Sequence, residues 1–201
     1  MTVGRVVVLA SANPKKAAEL IALLGDRLDV RPRPADLPDV VEDGETLEAN
    51  ATLKAMAVAR ATGGLALADD TGLFVDALDG RPGVRSARYA GEPADDDANV
   101  TLLLAELGER GARTASQRAA RFRTVIALAS PGGEVDLVDG ICEGWISEER
   151  RGGTGFGYDP VFVPAEGDGR TFAEMGPQAK GGLSHRARAL AAAVHLLAGD
   201  R

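Results

Sequence analysis

Cysteine is almost absent: Cys142 stands alone among 201 residues, which excludes an internal disulfide and a thiolate metal cluster. A reducing cytoplasm is the expected setting. Aromatic residues make up only 4% of the chain, and aliphatic side chains must therefore fill the core. No long hydrophobic run is present. The first apolar stretch, Val6–Ala10, is far too short to span a bilayer, and only Arg5 precedes it as a cation; neither a membrane helix nor a signal peptide is expected. Positive charge is in deficit, the formal net charge being -7, which argues against nucleic acids and anionic membranes as partners. Missing too are GxxxxGK[ST], GxSxG, HExxH and CxxC, the signatures of P-loop, serine-hydrolase and zinc chemistry.

What the chain does contain is enough apolar material, 45% of residues, to bury a core for one domain over 1–201. Val6–Ala10 reads as a strand that Ser11-Ala12-Asn13-Pro14 breaks. A helix follows from Lys15, with Leu20, Leu23 and Leu24 on one face and Gly25 as its stop. Residues 31–45, rich in proline and carboxylates, read as an extended loop. Thr46 then caps a helix to about Arg60, ended by Gly63-Gly64. Leu65–Ala68 reads as a short buried strand that empties into Asp69-Asp70-Thr71-Gly72. Turn formers fill 78–83, and a helix runs from about Asp95 to Leu107. Phe122–Ala129 and Glu134–Ile146 form an antiparallel pair through Pro131-Gly132-Gly133. A glycine-rich loop at 152–158, a short strand at 161–163 and a helix from Ser184 to about Ala198 complete the pattern. Strand and helix alternate early and a hairpin stands in the middle, which gives an α/β fold with a mixed central sheet flanked by helices.

Four places could carry chemistry. A strand, short turn and helix aim the first N–H groups of the helix beyond the strand, a natural anion site; Lys15 and Lys16 stand there, although exposed lysines are usually just solvated. Only 4 of the 23 cations are lysine, at 15, 16, 54 and 180, which makes each worth inspection. Asp69 and Asp70 are neighbours on extended chain and point to opposite faces. One of them could hold Mg²⁺ or activate a water, with Glu42, Asp43 or Glu45 as a second ligand; the competing reading is a solvated, Asp-capped turn. Gly153 to Pro160 joins glycines, Phe156, Tyr158 and Asp159, a set suited to stacking on a base and accepting from its N–H, or simply an anchored surface loop. Ser184-His185-Arg186 opens the last helix, where Ser184 suits an N-cap. Arg113, Arg118, Arg121 and Arg123 are not read as a nucleic-acid patch on this acidic chain, since alternation along a strand sends Arg121 and Arg123 to one solvated face.

Five segments in order, SANPKK (11–16), ETLEANATLKA (45–55), ADDTGLFVDALDGRPGVRSARYAG (68–91), GFGYDPVF (155–162) and TFAEMGPQAKGGLSHRARAL (171–190), give the chain its resemblance to the inosine/xanthosine triphosphate pyrophosphatases. These enzymes hydrolyse deaminated purine nucleoside triphosphates. The resemblance implies two lobes with the active cleft between them, a homodimer, dependence on Mg²⁺, and cleavage between the α- and β-phosphates of ITP, dITP or XTP. By position, Ser11, Ala12, Asn13, Pro14, Lys15 and Lys16 match the phosphate-binding turn. Asp70 matches the catalytic carboxylate, as general base or metal ligand, and Glu42 a metal-binding acid. Thr71 stands for the usual serine and keeps its hydroxyl. Phe156, Gly157, Tyr158 and Asp159 match the base-binding loop, Lys180 a second substrate lysine, and His185 with Arg186 the pair that reads the purine.

One position departs from that pattern: Ala49 precedes Asn50 where the family carries an acid, and Glu48 lies one step earlier on another helical face. Two other readings compete. The Maf-like nucleotide pyrophosphatases share the fold but lack segments like GFGYDP and SHRARAL. A catalytically silent nucleotide sensor would fit the Ala49 departure.

Overall fold

The computed structural model describes residues 6–24 and 28–198; Arg5 and the expected helix stop at Gly25 lie outside them. Seven strands and five α-helices are described: β1 (Val6–Leu9), α1 (Pro14–Leu24), β2 (Asp29–Arg31), α2 (Leu47–Thr62), β3 (Ala66–Val75), β4 (Pro82–Gly83), α3 (Asp96–Glu109), β5 (Ala119–Ala129), β6 (Val135–Ile146), β7 (Phe162–Pro164), α4 (Phe172–Leu183) and α5 (His185–Ala198). The strand order is β2-β1-β3-β5-β6-β7, with β4 on β3. β1 pairs in parallel with β2 and β3, whereas β4 and β7 pair antiparallel with β3 and β6. The sheet is thus mixed, as expected. No helix among the described residues is long and apolar enough to cross a membrane.

The chain forms two compact units. Unit 1 comprises residues 1–70, 124–140 and 186–201; unit 2 comprises 71–123 and 141–185. Each has its own core. In unit 1, Val7, Leu9 and Leu67 of the strands pack with Leu20 and Leu24 of α1 and Ala189 and Leu190 of α5. Unit 2 takes all eight of the scarce aromatics: Phe122 and Phe162 meet edge to face at 4.7 Å, and Phe172 lies 5.1 Å from Phe162. Within unit 2 Arg118, 4% exposed, donates to the carbonyls of Ile146, Ala112 and Ser147 at 2.6, 3.0 and 2.7 Å. It is a buried backbone brace, a role that no local pattern in the sequence marks.

Local chemistry sets the helix starts. Asn13 caps α1, its Oδ1 accepting from the N–H groups of Lys15 (2.9 Å) and Lys16 (3.2 Å), and Pro14 takes the first helical position, where no N–H is needed. Thr46 caps α2, its Oγ1 accepting from the Ala49 N–H. Thr171 and Glu174 form a reciprocal capping box at the start of α4.

At β3 the strand is longer than the sequence reading gives it. It does not stop at Ala68 but runs through Asp69 and Asp70, read as extended chain, to Val75, and the competing reading of a solvated turn at Asp69-Asp70-Thr71-Gly72 falls away. Buried Leu73 and Val75 supply the apolar alternation that continues it, and Leu73 and Phe74 pair with Gly83 and Pro82 of β4. Three elements escape the sequence pattern altogether: β4 is a two-residue strand within the stretch read as turn formers. β2 is three residues long, and α4 is disguised by Gly176-Pro177, where the helix kinks with Gly176 at φ 74°.

The β6–β7 pairing has no room for a side chain at Gly144: a Cβ there would meet the Val163 carbonyl oxygen at 2.2 Å and the Phe162 ring at 2.8 Å. Gly144→Ala is expected to destabilise the protein by about 1–3 kcal/mol, read as a lower urea midpoint; an unchanged midpoint would contradict this packing.

Candidate active site

β3 carries the acids of unit 1 into its interior. Successive side chains on a strand face opposite ways, and Asp69 and Asp70 accordingly have separate partners. Asp70, 5% exposed, accepts from Lys54 Nζ at 3.0 Å through Oδ1. The same ammonium lies 2.9 Å from Glu42 Oε2. Asn50 reaches Asp70 Oδ2 more weakly, at 3.5 Å, while its amide is clasped by Gly44 on both edges, N–H to Oδ1 at 2.8 Å and Nδ2 to O at 3.2 Å. Burial pushes the Asp70 carboxyl above its ordinary value, and Lys54 and Lys16 oppose that without reversing it. A carboxyl raised in this way is a better proton acceptor than a surface aspartate.

Asp69 is 2% exposed and has the opposite electrostatics. Burial alone would raise its carboxyl, but Lys16 and Arg186 outweigh it and hold the group well below the usual range. Arg186 Nε and Nη2 each lie 3.3 Å from Asp69 Oδ2, and Nη1 donates to Glu19 of α1. Lys16 Nζ stands 3.9 Å from the same Asp69 oxygen. Arg186, 2% exposed, therefore directs at least three N–H groups at carboxylates. In the opening turn of α1, the Asn13 cap takes the N–H groups of Lys15 and Lys16. Ser11 Oγ donates to the Asn13 carbonyl at 3.4 Å, and residues 12–15 are exposed.

Unit 2 holds the aromatic loop. Gly155 and Gly157 have φ 84° and 60°, left-handed values that flank Phe156 and fix the tight turn at its tip. Asp159, 3% exposed, accepts from the Phe156 N–H at 2.9 Å and from Lys180 Nζ at 2.8 Å, both on Oδ2. Lys180 Nζ also lies 4.9 Å from the centroid of the half-buried Phe156 ring. Tyr158 points inward and donates its hydroxyl to the Ser86 carbonyl at 2.9 Å; burial pushes that phenol well above its ordinary value. His185 stacks on Phe122 at 4.6 Å. Thr71, half-buried, is the first residue of unit 2 after Asp70.

The geometry thus gathers the expected residues in two groups: Lys16, Glu42, Asp70 and Arg186 in unit 1, and Phe156 to Asp159, Lys180 and His185 in unit 2. It adds four that sequence reasoning left out of the site: Glu19, Asn50, Lys54 and Asp69. Signals for three were present. Lys54 is one of only four lysines, Asn50 stands four residues before it on the same face of α2, and Asp69 adjoins Asp70. Among the described residues no three His, Cys, Asp or Glu side chains form a ready metal cage. Asp70 and Glu42 nevertheless converge on one cation, the Lys54 ammonium.

The sequence model of the Ham1 family matches residues 7–196. A dITP/XTP pyrophosphatase of Leifsonia xyli is 49% identical over 192 residues, covering 95% of this chain and 94% of that protein. The solved structure of a HAM1 protein from Coxiella burnetii superposes with a TM-score of 0.86 at 40% identity, over 97% of this chain and 99% of the other. That of a nucleoside-triphosphatase, dITP/XTP pyrophosphatase from Mycobacterium abscessus gives 0.73 at 44% identity, over 94% and 98%.

Because the Asp69 side chain is fully buried against two cations, Asp69→Asn should cost about 3 kcal/mol, the order of breaking a buried ion pair. Its carboxyl is held below the unfolded value, so the stabilisation is full above the ordinary carboxylate range and is lost only as pH falls through the lowered value. Urea unfolding of both proteins should show the gap undiminished from pH 7 to pH 5. A gap that closes over that range would contradict the buried pairing.

Proposed function

The chain belongs to the Ham1 family, and from that premise we propose that it hydrolyses deaminated purine nucleoside triphosphates, ITP, dITP and XTP, to the nucleoside monophosphate and pyrophosphate. The observation that carries this reading is 49% identity across nearly the full length of a dITP/XTP pyrophosphatase. The acid cluster on β3 supplies the chemistry that such a hydrolase of acid anhydrides needs.

The donor set suits Mg²⁺. This ion takes oxygen ligands, commonly one or two carboxylates together with phosphate oxygens and waters, and Asp70 and Glu42 already converge on a single positive charge, at 3.0 and 2.9 Å. They are the residues that would hold it. When bound, Mg²⁺ supplies neutralisation of the phosphate oxygens and polarises a nearby water. The protein's own part is as follows. Asp70, which faces the Lys54 ammonium at 3.0 Å, takes the proton of the water that breaks the bond between the α- and β-phosphates. Lys16 and Lys54 offset the charge of the phosphates, and Asp69, kept ionised, anchors Arg186 and Lys16. The ring of Phe156 offers a stacking face to the base, backed by the Lys180 ammonium. His185 and Arg186 read the purine.

Selectivity follows from the base edge. Hypoxanthine and xanthine present a 6-oxo acceptor where adenine presents a 6-amino donor. A buried N–H of Arg186 left facing a donor would be unpaired, at a cost of roughly 1–3 kcal/mol, or about ten- to a hundredfold in discrimination. The remaining elements of the proposal are a homodimer and a cytoplasmic location, where free nucleotides are the substrates and neither nucleic acid nor membrane is a partner.

Purified protein with Mg²⁺ should convert ITP to IMP and pyrophosphate in one step, faster than it consumes dTTP or UTP. Stepwise release of orthophosphate, or a preference for dTTP or UTP, would contradict the proposal. Nucleotide binding without turnover would mark a sensor instead.

A further inference from the structure

Three consecutive aspartates open α3, and each has a different task. Asp95 is the cap, its Oδ1 accepting from the N–H groups of Asp97 (2.8 Å) and Ala98 (3.0 Å). The Asp97 side chain is 96% exposed. Asp96 alone of the three reaches the aromatic loop, where its Oδ2 accepts from the Gly157 N–H at 3.0 Å, across 61 residues of sequence.

That contact falls at the tip of the turn. Phe156 and Gly157 offer consecutive backbone N–H groups, and two different carboxylates take them: Asp159 from within the loop, Asp96 from outside it. Both flanking glycines are in left-handed backbone, which glycine adopts about as readily as the right-handed region, so that their own conformational preference does not fix the turn. The direction of the Phe156 ring therefore depends on what holds the turn.

α3 is itself fixed within unit 2. Arg150, just before the loop, donates to the Asp97 carbonyl at 2.7 Å and to Thr101 Oγ1 at 2.9 Å. Asn99 accepts from the Ala90 N–H at 2.7 Å and donates to the Ala87 carbonyl at 3.0 Å. The neighbouring Ser86 carbonyl receives the Tyr158 hydroxyl from the loop's inner side. Asp96 thus projects from a helix already tied to both flanks of the loop.

We propose that Asp96 is a positioning residue for the nucleobase, holding the Phe156–Gly157 turn so that the Phe156 ring is presented in one orientation. It touches neither phosphate nor water in this role and acts through the loop backbone. The inference rests on the reading of this loop as the base-binding element. Its signature is a weaker KM with kcat little changed, since a misaimed ring loses binding rather than chemistry.

Two neighbouring variants separate the latch from the charge that any acid contributes at a helix start. Asp96→Ala removes latch and charge; Asp97→Ala removes a like charge from the same turn and leaves the latch. Asp96→Asn keeps an acceptor oxygen. Steady-state ITP hydrolysis with Mg²⁺ is read beside amide hydrogen exchange of the segment 153–159. Asp96→Ala should raise KM about 3- to 10-fold, the size expected for one hydrogen bond, with kcat within about twofold of wild type and faster exchange at Gly157. Asp96→Asn should restore most of the KM and the slow exchange, and Asp97→Ala should match wild type in both. An equal KM rise in Asp97→Ala, or unchanged Gly157 exchange in Asp96→Ala, would overturn the proposal. Absence of ITP turnover in wild type would sink the proposed function instead, and the exchange comparison would still decide whether Asp96 holds the turn.

Discussion

Two carboxylates side by side in the middle of a buried strand are the constraint on which the rest of unit 1 depends. Desolvating a single unpaired carboxylate costs several kcal/mol, and β3 desolvates two. The pleat separates them, sending Asp69 to Arg186 and Lys16 and Asp70 to Lys54. Each partner comes from a different stretch of chain: α1, α2 and the first residues of α5. Meeting the charge of β3 thus brings together three helices that are far apart in sequence, and it leaves the two acids in unlike states. Asp69 is locked as an anion, and Asp70 is poised closer to protonation.

Unit 2 meets a different demand, that of aiming an aromatic ring from a glycine-rich turn. A flexible backbone permits the turn, and surrounding groups must then hold it. Asp159 does so from within, Lys180 presses on both Asp159 and the Phe156 ring, and Asp96 reaches in from α3. The capping box of α4 adds a further tie, because Thr171 Oγ1 donates to the Arg151 carbonyl at 2.9 Å and the Ala173 N–H donates to that of Asp159 at 3.1 Å. The ring and the acids therefore stand on separate cores, one in each unit.

Much of this was legible in the sequence wherever a local rule decides the outcome. Thr46 announces α2, Asn13-Pro14 announces α1, and the turn at 131–133 announces the β5–β6 hairpin. Legibility failed where a distant contact overrides local preference. Asp69-Asp70-Thr71-Gly72 has the composition of a turn, yet it is strand because cations from elsewhere neutralise the acids. Gly176-Pro177 looks like a helix end, yet α4 resumes beyond a kink. Lys54 lay in plain sight as a rare lysine, but only the fold shows its ammonium between Glu42 and Asp70. Arg118 likewise gives no hint in sequence that three carbonyls will claim it.

A chain of net charge -7 can still accept a triphosphate, because affinity for a small anion is set by the local arrangement of lysines, helix start and metal rather than by the global field. The same field disfavours polymeric nucleic acid, which fits action on free nucleotides. In the proposed reaction Asp70, facing Lys54 at 3.0 Å, is the group that accepts the proton. ITP turnover by Asp70→Asn, measured beside nucleotide binding, tests it most directly. The variant should lose about a hundredfold or more in kcat with binding retained, whereas turnover near the wild-type rate would place the proton acceptor elsewhere.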